Sequence, residues 1–189
     1  MRIANYCVYG LSESFRGAKF PMAADVSKVD DTLTPGIKKL AQSGLGEGHD
    51  NWLNGVIVQF DLTCTNKMWV EMERYHFIDF VSSQSTMHRA AKMDFDACFN
   101  EYVTPRTKME CNRLKAKYLE DPSAENYLRL LYNLPSGIEL TARMTTNYRQ
   151  LKTIYRQRKN HRLPEWRAFC RWVETLPMSE LIIGEVEKE

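Results

Sequence analysis

Alternating apolar and polar residues mark three strands along the chain. Residues 3–9, IANYCVY, read as the first, and the β-branched run 55–64, GVIVQFDLTC, as the second. Pro135 and Gly137 make a turn into the third, IELTARMTT. Helical signals fill much of the remainder. Thr34 as cap, Pro35 in the first position and Gly44 beyond the end delimit a short helix. Asn66 is the expected cap of a helix over 66–75, while Thr104-Pro105 and Ser123 open two more. The spacing predicts further helices over 147–158 and 164–176, the second bracketed by Pro164 and Pro177. Segments 10–31 and 77–92 carry no clear period, and 180–189 reads as a frayed tail. Without repeats or low-complexity linkers, this order predicts one α+β domain over 1–189.

Six Lys/Arg residues lie between Arg149 and Arg162 with no carboxylate among them. At about 100° per residue, Asn147, Leu151, Ile154, Tyr155 and Arg158 fall on one helical stripe. Arg149, Lys152, Arg156 and Lys159 lie to the side or opposite and are expected to form a solvated face. Arg158 differs because it shares its stripe with Leu151 and Ile154. An inward arginine needs a partner. It is either a structural ion pair to an internal carboxylate or a guanidinium fork that reads a planar acceptor or a phosphate. Asn147 either serves the same site or caps the helix. Met68, Trp69 and Met72 are expected in the core of their helix.

The 189 residues are 43% hydrophobic with a net charge of only +2, so no global field draws the chain to nucleic acid, which is not an expected partner. No stretch approaches the roughly 20 apolar residues of a membrane span. The N-terminus lacks the apolar core of a secretory signal. The five cysteines are scattered without a C-x-x-C pair, and the histidines show no metal-ligand spacing. A cytoplasmic protein with reduced thiols and no metal is expected, with Cys64 and Cys170 buried.

The stretch NLPSGIELTARMTTNYRQLKTIYRQR resembles the signature of the flavin-dependent thymidylate synthases. Pro135, Asn147, Arg149 and Arg158 fit its spacing without a gap, and His161 lies close to where that family has His-Ala-Gln. Glu165-Trp166 is similar to the family's aromatic-glutamate pair in reversed order. Upstream, GEGHDNWLNGVIVQFDLTCTNKMWVEMERYHFIDFVSSQS resembles the family's Gly-His-Glu segment, long strand and following helix, with His49 and Arg74 at the family's separation. The two blocks cover about half the chain.

The resemblance implies a mixed sheet flanked by helices and methylation of deoxyuridine monophosphate (dUMP) to dTMP. It also implies reduced FAD, methylene-tetrahydrofolate and NADPH, and a site assembled between copies of a homo-oligomer, a tetramer in that family. Arg158 would polarise the uracil. Glu71, Arg74, Ser82, Gln84, Ser85 and Arg158 would line the nucleotide. His49, Arg74, Tyr75, His76, Asn147, Arg149 and His161 would meet the flavin. Departures fall on the same motifs. The family's Arg-His-Arg is Arg74-Tyr75-His76, a nucleotide-contacting glutamine is Glu71, and a stretch ending in arginine reads SSQSTM, with His88 and Arg89 beyond it. A phosphate-binding arginine is Leu131, with Arg129 nearby. Two further readings therefore stand beside the synthase: a flavoenzyme acting on another pyrimidine nucleotide, and a non-catalytic binding or interaction protein.

Overall fold

The computed structural model describes residues 1–44 and 46–184. Strands β1 (Arg2–Tyr9), β2 (Ile57–Thr65), β3 (Ile78–Ser83) and β4 (Glu139–Asn147) form one sheet in the order β1-β2-β4-β3. Each neighbouring pair is antiparallel, so the sheet is not mixed as expected but antiparallel throughout. The helices are α1 (Leu11–Lys19), α2 (Pro35–Ala41), α3 (Asn66–Met72), α4 (Thr86–Arg89), α5 (Phe95–Cys98), α6 (Pro105–Glu120), α7 (Ala124–Tyr132), α8 (Tyr148–Arg158), α9 (Pro164–Val173) and α10 (Glu180–Ile183). The architecture is α+β, as expected.

Strand β2 shows why one face of the sheet is the core. Val58, Phe60, Leu62 and Cys64 alternate along it and are fully buried, while Gln59, Asp61 and Thr63 point to the other face. Against the buried side pack Met68, Trp69 and Met72 of α3, Leu151 and Ile154 of α8, and Trp166, Phe169 and Val173 of α9. Each such side chain contributes about 1.5–3 kcal/mol by leaving water. On the other face Arg143 pairs with Asp61 at 3.2 Å and donates to the Asn5 carbonyl at 2.7 Å. Asn5 sits in a bulge of β1 with φ of 50°, a conformation asparagine tolerates. A second apolar cluster, including Phe95, Phe99, Leu114 and Leu130, lies under α6 and α7.

The site is positioned by two strand-to-helix junctions. Helix α3 follows β2 directly, and α8 follows β4 directly. Because Thr65 pairs with Glu139 and Ile57 with Asn147, these junctions lie at opposite ends of the sheet. The two helices run back towards each other. At about 1.5 Å per helical residue and 3.3 Å per strand residue, together they cover about the length of β2. Their C-terminal ends therefore meet.

The caps explain where these helices start. The cap of α3 is Thr65, whose hydroxyl accepts from Met68 N, and not Asn66, which is already helical. Thr34, Thr104 and Ser123 cap α2, α6 and α7 in the same way, as their sequence signals predict. Several boundaries move: the second strand runs Ile57–Thr65, α3 stops at Met72 and α9 at Val173. The unassigned 10–31 contains α1, and 77–92 holds edge strand β3 and short α4. Part of the expected frayed tail is ordered, since α10 buries Leu181 and Ile182. Residues 185–189 lie outside the described residues.

Candidate functional site

Arg158 emerges where α3 and α8 converge. Its Nε donates to the Tyr75 hydroxyl at 2.7 Å, and its Nη1 faces Glu71 Oε2 at 3.5 Å. The guanidinium carbon lies 4.8 Å from the Trp166 ring centroid and 5.6 Å from that of Tyr75. The Arg158 side chain is 13% exposed, so the inward stripe is real, with Arg156 and Lys159 outside it. Of the two readings of this arginine, the ion pair to an internal carboxylate is present. The fork is not thereby consumed.

Glu71 is the hub of this cluster. Its Oε2 also accepts from Trp166 Nε1 at 2.9 Å, while Lys67 pairs with Oε1 at 2.9 Å and His161 Nε2 approaches to 3.8 Å. The Lys67 contact leads the influences that hold the Glu71 carboxyl below its ordinary range. Tyr75 continues the network by donating to Gln157 Oε1 at 3.0 Å. Glu165, buried at the start of α9, accepts from both Thr65 N (2.9 Å) and Thr65 Oγ1 (2.7 Å), which fixes α9 and its neighbour Trp166 against α3.

A second polar cluster lies at the other end of α8. Lys152, expected on the solvated face, is fully buried and donates to Asp50 Oδ2 at 2.6 Å and to the Ser43 carbonyl at 2.9 Å. Arg149, grouped with the same solvated face, is only partly exposed and its Nε donates to Asp50 Oδ1 at 3.2 Å. Burial raises the Asp50 carboxyl, but its bonds to Lys152 and Arg149 more than reverse this and hold it below the ordinary range. Sequence reasoning missed Asp50; its one signal was its place beside His49. Asn147 is the cap of α8, its Oδ1 accepting from Gln150 N at 2.8 Å. His49 is exposed beside a cavity of about 890 Å³ that Trp52 also lines. The Trp52 indole N–H is buried and has no partner among the described residues.

The remaining candidates are dispersed. Arg74 and His76 are exposed just beyond α3. Ser82 sits on edge strand β3 opposite Arg143. Gln84 extends that strand, its Oε1 accepting from Thr141 N at 2.8 Å. Ser85 precedes α4 without a capping bond. From Ile78 to Gln84 the extended chain covers about 20 Å. Among the described residues no hydrogen bond joins Ser82, Gln84 or Ser85 to Glu71, Arg74 or Arg158. Leu131 packs against the second apolar cluster, and Arg129 pairs with Glu125. Cys64 and Cys170 are buried, and burial pushes both thiols up, Cys170 to about 12, so neither is set up as a nucleophile.

No protein-family model matches the sequence, and no curated protein matches it significantly. Solved structures do. The flavin-dependent thymidylate synthase ThyX from Helicobacter pylori, complexed with FAD and dUMP, aligns with a TM-score of 0.74 over 96% of both chains at 12% identity. A second structure of the Helicobacter pylori enzyme with FAD and dUMP gives 0.75 over 96% of both chains at 13% identity. The UMP/dUMP methylase PolB from Streptomyces cacaoi, bound with 5-Br dUMP, gives 0.65 over 92% of this chain and 87% of its own at 13% identity. The chain has the fold of the flavin-dependent thymidylate synthases. Among the described residues no helix is long and apolar enough to cross a membrane.

This fold carries the question of a flavin to the residues themselves. Arg74, His76 and the partly exposed Arg149 are cationic or protonatable groups suited to a pyrophosphate. The unpartnered indole N–H of Trp52 beside His49 is a donor that a heterocycle could satisfy. These pieces suit the group chemically; Arg74 follows the C-terminal end of α3, while Thr146 Oγ1 donates to the Phe77 carbonyl at 2.6 Å and so holds the residue after His76 beside the start of α8. Arg149 and Arg158 are separated by about 14 Å of helical rise.

Proposed function

We propose that this protein is a flavin-dependent enzyme that modifies a pyrimidine nucleotide at its base. Thymidylate synthesis from dUMP is the model for the reaction. The observation that carries the reading is Arg158: a guanidinium held by Tyr75 and stacked on Trp166, with its Nη2 edge uncommitted among the described hydrogen bonds. Such a fixed donor edge, largely withdrawn from water, polarises a ring carbonyl more strongly than a solvated cation would. That withdraws electron density from the ring and prepares it for substitution.

FAD, when bound, would supply the hydride chemistry, and a methylene-tetrahydrofolate the one-carbon unit if the synthase reaction is retained. Arg149, Arg74 and His76 would hold the flavin's anionic groups. His49, Tyr75, Asn147 and His161 would position its rings. Ser82, Gln84 and Ser85 would approach the nucleotide from the sheet edge. The roughly 14 Å of helical rise between Arg149 and Arg158 supports a homo-oligomer, a tetramer, in which neighbouring copies bring the two ends of α8 together. Sedimentation should then give a multiple of 22.1 kDa.

A non-catalytic relative is the second reading, favoured by the Glu71–Arg158 ion pair, which meets the arginine's charge without a ligand. The absorbance spectrum of the purified protein with added FAD separates the two. A retained flavin band, with release of the C5 hydrogen from a labelled pyrimidine nucleotide, is the expected result. Neither flavin retention nor exchange at C5 would leave the binding-protein reading in its place.

A further inference from the structure

We propose that the base this site selects is cytosine rather than uracil, an inference that rests on the pyrimidine-nucleotide reading above. The argument starts from two groups of opposite hydrogen-bonding character set side by side. An ionised carboxylate only accepts, and a guanidinium only donates. Glu71 Oε2 and Arg158 Nη1 stand 3.5 Å apart, with side chains only 14% and 13% exposed. A planar ligand that lies against both must offer one donor to Glu71 and acceptors to Arg158.

Both groups keep capacity for this. A carboxylate has about four lone-pair positions. Glu71 turns Oε2 towards Trp166 and Arg158, with His161 Nε2 3.8 Å away, and Oε1 towards Lys67, so the position it keeps is on Oε1. On Arg158, Nε is engaged with Tyr75 and one Nη1 hydrogen faces Glu71, which leaves the Nη2 edge. Stacking on Trp166 and the bond to Tyr75 fix the plane of the fork.

The two pyrimidines present different edges to this pair. Cytosine offers a donor, the 4-amino group, followed by two adjacent acceptors, N3 and O2. With the amino group on Glu71, the acceptors meet the guanidinium, and no group is opposed. A carboxylate accepting from the cytosine amino group is a recurrent recognition pair. Uracil offers an acceptor, a donor and an acceptor. If its N3–H is given to Glu71, one carbonyl reaches Arg158 but the other lies against carboxylate oxygen. If its N3 faces the fork, a donor meets donors. A site built for a hydrogen-bonding group rejects the analogue that lacks it, because its own polar groups are left unmatched.

The test is calorimetric titration of the purified protein, with FAD present, by dCMP, dUMP and dGMP. The expected result is dCMP binding at least about ten-fold tighter than dUMP, the scale of one well-formed base-edge pair. Glu71→Gln should remove that preference or invert it, since a carboxamide can donate to the uracil O4. Because the wild-type comparison needs no variant, poor folding of Glu71→Gln would not rescue the proposal. Equal or tighter binding of dUMP by the wild type overturns the cytosine assignment while leaving the pyrimidine reading standing. Preference for dGMP over both, or no binding of either pyrimidine nucleotide, overturns both.

Discussion

Lys152 and Asp50 meet at 2.6 Å with both side chains fully shielded from solvent. The pair links the first half of α8 to the segment that carries His49, and Arg149 shares the same carboxylate at 3.2 Å. Taking two charges out of water costs several kcal/mol each, and the attraction between them offsets this only while both partners are present. The arrangement therefore holds the position of the segment more than it adds stability. Its value to the proposed site is that His49 and Arg149 are placed by one buried anchor.

Removing one partner should be far worse than removing both. Asp50→Ala leaves the Lys152 ammonium buried with only the Ser43 carbonyl, and is expected to cost about 3–5 kcal/mol in urea unfolding. Asp50→Leu combined with Lys152→Met should recover most of that loss. A pH series adds a sign. The Asp50 carboxyl is held below its ordinary value in the folded chain. Its contribution is therefore fully present above the unfolded pKa of about 3.9 and is lost as pH falls through the lower folded value. Wild type should lose stability below about pH 4 more steeply than the double variant. Identical acid limbs would count against the pair.

Thr65 holds three elements at one point, which makes it a sensitive position. Its hydroxyl accepts from Met68 N as the cap of α3 and donates to buried Glu165 on α9. Thr65→Val keeps the shape but removes both roles and leaves a buried carboxylate oxygen short of a donor. Losing the cap costs about 1 kcal/mol, and losing a bond to a charged group about 1.5–3 kcal/mol. The urea midpoint should fall with an unchanged slope, while Thr65→Ser stays within about 1 kcal/mol of wild type. A serine variant as unstable as the valine one would show that the methyl group, and not the hydroxyl, matters there.

How far the sequence could be read depended on whether the relevant partners were local. Caps at Thr34, Thr104 and Ser123 declared themselves because the capping residue and the first turn are neighbours. Arg158 was legible as an inward cation because Leu151 and Ile154 fix its stripe. Lys152 was misread because its angular position lies beside that stripe. Asp50, 102 residues earlier, and the Ser43 carbonyl draw it inside. Segment 77–92 lacked a period because β3 is an edge strand with one well-buried residue, Ile78, and an extra residue at Val81. Glu71 was legible as a departure from the family pattern, but its contacts with Lys67, Trp166 and Arg158 are tertiary facts that spacing could not supply.

Arg158→Lys is the sharpest test of what the fork does beyond carrying charge. Lysine keeps the positive charge, so the ion pair with Glu71 can persist in some form. It cannot bond the Tyr75 hydroxyl, stack flat on Trp166 and present a two-pronged edge at once. The stability change should be small, because the pair lies at the rim of the core and the lost stacking amounts to about 1 kcal/mol. For a chain of this size that is about 2–4 °C in Tm. Ligand binding should respond differently. If Arg158 reads a pyrimidine edge through two N–H groups, a point charge in its place should weaken nucleotide affinity by about ten-fold or more, and FAD affinity much less. Tyr75→Phe, which frees the fork without changing its charge, should weaken the nucleotide by a smaller factor. Equal losses for nucleotide and flavin in Arg158→Lys, or a Tm drop large enough to explain them, would assign this arginine to the framework and not to the site.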